Sequence, residues 1–106
     1  MNVGQGNISE RTALQRKETA VRIWVRIFKD NHLLRDTVIE DTRDISRTKK
    51  VISSLEAACH EFDLAVPTWL DLNIRDFQHH SRTRFGPDCF HEEIAFDYMD
   101  FRVIEE

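Results

Sequence analysis

The chain has 106 residues, 41% hydrophobic and 32% charged, which is the size of one domain with an ordinary soluble composition. A domain this small buries only about 60 to 65% of the surface its unfolded chain exposes, and no apolar run approaches the ~20 residues that span a bilayer. The formal net charge of -4, with seven acids against three arginines in residues 82 to 106, disfavours non-specific attraction to nucleic-acid phosphates or anionic lipid.

Residues 1 to 20 hold two of the three glycines and no sustained apolar stripe, so they read as a flexible arm ahead of a single domain over 21 to 106. A short helix over about Ser9 to Glu18 is compatible with that arm. The opening MNVGQGNISERTALQRKETA lacks the basic-then-apolar order of a secretory signal, which makes a reducing cytoplasm the expected compartment. Cys59 and Cys89 then read as free thiols. The strongest local signal is VRIWVRIF, where Val21, Ile23, Val25 and Ile27 alternate with Arg22, Trp24, Arg26 and Phe28 in the period of a strand. Asp30 and Asn31 tolerate the positive φ of a tight turn, and LLRDTVIE returns as the second strand of a hairpin.

From Asp44 to Leu64 the positions Val51, Ile52, Leu55, Ala58, Cys59 and Phe62 share one helical stripe. Lys49, Lys50, Ser53, Glu56 and His60 fall outside it. Thr42, Asp44 or Ser46 is placed to cap this helix, and Pro67 stops its continuation. A second, shorter helix is expected over Thr68 to His80, with Leu70, Ile74 and Phe77 toward the core. After the Gly86-Pro87 break, IAFDYMDFRVIEE reads as a long final strand with no cleanly apolar face, a pattern that implies a bulge or burial on both sides. SRTRFGPDCFHEE, residues 81 to 93, then connects the second helix to that strand, anchored by Phe85 and Phe90.

The order strand, strand, helix, helix, strand argues for an α+β two-layer sandwich: an antiparallel sheet, made of the N-terminal hairpin plus the long C-terminal strand, packed on one long and one short helix. The helices take the Ile23, Val25 and Ile27 face. Trp24 and Phe28 are left on the other face, where the loop around Trp69 or the N-terminal arm is one source of cover. The stretches RIFKDNHLLRDTVIE, EFDLAVPTWL and FQHHSRTRFGPDCFHEEIAFDY resemble a family of short uncharacterised proteins from Gram-positive anaerobic bacteria, over residues 22 to 106. That resemblance implies a bacterial cytosolic setting and assigns no catalytic residue.

Several constellations bear on function. Asp76 and His80, four apart on the second helix, with Cys89 and His91 on an extended segment, form a candidate metal set. It lacks the paired short spacing of structural zinc sites, so no metal and no cofactor are expected. Glu92 and Glu93 are adjacent and point apart on a strand, which rules them out as an acid and base dyad. Cys59 lies on the apolar stripe and Cys89 has acidic neighbours, both unfavourable to a reactive thiolate. Three glycines form no phosphate-binding loop. The expectation is a cytosolic, non-enzymatic accessory protein that acts through protein contact at Arg22, Trp24, Arg26 and Phe28, most simply as a homodimer. A single-stranded nucleic-acid binder that adds Arg82 and Arg84 is the first alternative. A metal-dependent or thiol enzyme centred on residues 76 to 93 is the second.

Overall fold

The computed structural model describes residues 20–106, so the expectations for an N-terminal arm and its helix lie outside the described residues. Strand β1 (Val21–Lys29) and strand β2 (His32–Asp41) form the expected antiparallel hairpin. Its two-residue turn is made by Asp30 at φ 51° and Asn31 at φ 67°, the left-handed geometry that matches strand twist and that these short polar side chains tolerate. The register slips between Ile27, opposite Arg35, and Phe28, opposite Leu33, so a bulge closes the hairpin's turn end.

Helix α1 (Arg47–Phe62) begins at Ser46, whose hydroxyl accepts the Lys49 N–H at 3.2 Å. It ends at Asp63, which turns left-handed at φ 58° and donates its N–H to the Cys59 and His60 carbonyls. Val51, Leu55, Ala58, Cys59 and Phe62 are buried as expected. Two positions depart from the predicted stripe: Ile52 is 45% exposed, whereas Lys50 is 2% exposed. At 100° per residue the buried arc is rotated about 45° toward the Lys50 and Ser54 row, because the helix lies against the polar end of the hairpin at Asp41.

Helix α2 (Asp71–His80) is shorter than predicted and turns a different face inward. Its buried residues are Asn73 and Phe77, while Leu70 and Ile74 are 38% and 42% exposed. Trp69, just before the helix, takes the core space that the pattern gave to Leu70. Its ring packs edge-on against Phe77, Phe85 and Phe101 at 5.0 to 6.0 Å. Trp69 therefore covers the helix side of the sheet and not the Trp24 side.

The segment read as a plain connection holds a further strand, β3 (Arg82–Phe85), followed by a 3₁₀ turn over Pro87–Cys89. Ser81, left-handed at φ 55°, reverses the chain in a single residue between α2 and β3. Strand β4 (Tyr98–Glu105) starts later than expected, and Met99, Asp100 and Phe101 are buried in succession: Met99 and Phe101 lie under the helices, and Asp100, on the other face, is enclosed by the side chains of Arg26 and Arg84.

The four strands form one antiparallel sheet in the order β2-β1-β4-β3, and with two helices on one face the chain is an α+β fold. Helix α1 packs on β1 and β2, and α2 packs by β3. Between them lie Ile23, Val25, Leu55, Phe85, Met99 and Phe101, each no more than 1% exposed. Burial of such a side chain contributes roughly 1.5 to 3 kcal/mol. Among the described residues no helix is long and apolar enough to cross a membrane.

Candidate binding face of the sheet

No described element covers the second face of the sheet. Strand alternation puts Arg22, Trp24, Arg26 and Phe28 there, as the sequence required. Pairing then brings residues from the other three strands beside them. Asp36 on β2, Arg26 on β1, Asp100 on β4 and Arg84 on β3 are successive cross-strand partners and form one row across the sheet. Val38, Trp24, Arg102 and Arg82 form the next row. Phe28 stands opposite Tyr98 in a third.

The aromatic rings are locked by guanidinium groups. Arg26 lies between Trp24 and Phe28, at 4.2 and 5.1 Å from their ring centres, and Arg84 lies 4.5 Å from that of Tyr98. Phe28 and Tyr98 stack at 5.3 Å, close to the spacing between strands. A stack at that spacing requires rings that stand up from the sheet, with their edges toward solvent. The Trp24 indole N–H donates to Asp36 at 2.9 Å, which fixes the ring further.

Charge is distributed by column. On β2 the face carries Asp36 and Glu40; at the opposite edge it carries Arg82 and Arg84, with Arg102 next to them on β4. Asp100, only 5% exposed, accepts from Arg26 at 2.7 Å and lies 3.8 Å from Arg84. Arg22 pairs with Glu105 at 3.4 Å. Arg82 and Arg102 sit directly opposite each other, without an acidic partner among the described residues. Like charges so placed destabilise a sheet by about 0.2 to 1 kcal/mol. The acidic C-terminal quarter has three arginines, and the sheet gathers all of them on this face.

The metal candidates are not brought together. Asp76 and His80 line a groove with Leu72, Arg82, Thr83, Arg84 and Asp100. His91 is instead engaged with the Thr68 hydroxyl at 2.8 Å, and the Cys89 thiol donates to Asn73 Oδ1 at 3.4 Å. Among the described residues no three His, Cys, Asp or Glu side chains are grouped to hold a metal. Both cysteines are free and buried. Burial pushes the Cys59 thiol up to about 11, and burial is also the main cause that raises Cys89. Neither has the depressed value of a nucleophile.

Reading the sequence alone missed Asp36, Tyr98, Asp100 and Arg102 as members of the face. Their strand periodicity was available, but which strand neighbours which was not. No protein family, curated protein or solved structure matches the chain.

Proposed function

We propose that the chain is a non-enzymatic binding protein that works through protein contact at the uncovered sheet face, with self-association as its simplest form. The observation that carries this reading is the set of rings Trp24, Phe28 and Tyr98, held by Arg26 and Arg84 on a face that no described element covers. Trp, Tyr and Arg are enriched at interface centres, and a pre-fixed array loses little side-chain entropy when it is buried. The same geometry weighs against a single-stranded nucleic acid, because bases stack on exposed ring faces, and here guanidinium groups lie over those faces. A cytosolic bacterial setting belongs to this reading as well.

Static light scattering on the full chain is expected to give twice the chain mass at high protein concentration, falling toward one mass on dilution. Trp24→Glu, which adds a charge at the centre of the face, should leave the circular dichroism spectrum intact and shift the dissociation constant at least tenfold. A wild-type chain that stays monomeric throughout, or a Trp24→Glu protein that associates as well as wild type, overturns the proposal.

A further inference from the structure

The row Asp36, Arg26, Asp100, Arg84 alternates in sign from one edge of the sheet to the other. We infer that this face pairs with the same face of a second copy, about a two-fold axis that runs along the strands between β1 and β4. The inference rests on the protein-contact reading above and adds the orientation and the residues that select it.

A rotation about an axis parallel to the strands exchanges left and right across the sheet and keeps each residue at its level along the strand. Asp36 of one copy then lies over the partner subunit's Arg84, and Arg26 over the partner subunit's Asp100. All four positions of the row meet the opposite sign. In the next row Trp24 lies over the partner subunit's Arg102. Phe28 meets the partner subunit's Tyr98. An axis across the strands does the reverse: it sets Asp36 on Asp36 and Arg84 on Arg84.

Within one copy the two edges cannot neutralise each other. They are three strand spacings apart, about 14 Å, which exceeds the Debye length of about 8 Å at physiological salt. Arg84 lies on the Tyr98 ring and 3.8 Å from Asp100, yet its side chain is 67% exposed, so its outward N–H groups are open to a second partner. The orientation also keeps the two strand sets aligned, the usual arrangement when sheets pack face to face about 10 Å apart. Four strands of this length present about 500 Å² per copy. The resulting total of about 1,000 Å² is at the small end of specific interfaces, so charge register decides whether the dimer forms.

The test is a charge exchange read by analytical ultracentrifugation on the full chain. Asp36→Lys alone and Arg84→Glu alone each put like charges at both ends of the row, and each should weaken self-association at least tenfold. An equimolar mixture of the two restores opposite charges at both ends and should return to within about threefold of wild type; thresholds of this size reflect a few surface pairs. Single variants as tight as wild type, or a mixture no tighter than either variant, overturn the inference. A second measurement reads which positions face each other and not whether their charges match. A short bis-maleimide should cross-link Asp36→Cys to Arg84→Cys in a mixture, and neither variant to itself; Asp36→Cys linking to itself overturns the orientation. A monomeric wild type removes the self-association reading itself, whereas a wild-type dimer that ignores these variants removes only the orientation.

Discussion

Ser54 sits on the buried row of α1 at 1% exposure, and its hydroxyl has no hydrogen-bond partner among the described residues. An unsatisfied buried hydroxyl costs about 1 to 3 kcal/mol, and alanine is the better helix former. Ser54→Ala is therefore expected to stabilise the fold by about 1 kcal/mol, as a higher urea midpoint at unchanged slope. A lower midpoint would mean that the hydroxyl is satisfied. Close to it, Asp41 is 7% exposed and bonded by Arg43 at 2.7 and 2.9 Å. The Arg43 side chain is the main cause that holds the Asp41 carboxyl below its ordinary 3.8; burial opposes it, and the Arg43 N–H and the charges of Arg43 and Lys50 assist. A depressed folded value means the stabilisation is fully present above about pH 4 and is lost as pH falls through that lower value. Comparing urea midpoints of wild type and Asp41→Asn, the gap between the two should be constant from pH 7 to about pH 5 and shrink at pH 3. A gap independent of pH would show that Asp41 acts through shape alone.

At the scale of elements, α2 is held by a polar hook as much as by apolar contact. Asn73 Nδ2 donates to Thr83 Oγ1 and to the Arg84 carbonyl at 2.9 Å, while its Oδ1 accepts from the Leu70 N–H at 3.0 Å and from the Cys89 thiol. One side chain thus ties the start of the helix to strand β3 and to the 3₁₀ turn. Asn73→Ala strands several of these groups, and a loss of about 2 to 4 kcal/mol is expected in chemical denaturation. Asn73→Leu should not recover it, because the missing quantity is hydrogen bonding and not volume; full recovery would contradict the hook. The hydrophobic pattern over this helix pointed to Leu70 and Ile74 for the same reason: it counts apolar spacing and cannot register a polar residue that is buried because its bonds are met. Strand β3 escaped notice likewise. Its signal is four residues long, and the turn before it uses Ser81 where a glycine would have announced it.

For the whole molecule, the net charge of -4 hides a face where acids and arginines are sorted to opposite edges. What the sequence by itself determined is what neighbours in the chain decide. The alternation of VRIWVRIF and the Asp30-Asn31 turn specify a hairpin with Trp24 and Phe28 on one side. A capping residue among Thr42, Asp44 and Ser46 and the Val51, Leu55, Phe62 spacing specify the long helix, with Ser46 the cap the structure uses, and Phe85 and Phe90 are buried anchors as their setting indicated. Only the tertiary structure decided that Trp69 serves the helix side, that Arg82–Phe85 is a strand, and that Asp36, Arg26, Asp100 and Arg84 form one row. The physical reason is separation. Arg26 and Asp100 are 74 residues apart and meet through the register of β1 on β4, a choice made by the packing of both strands against the helices and by no local preference of either.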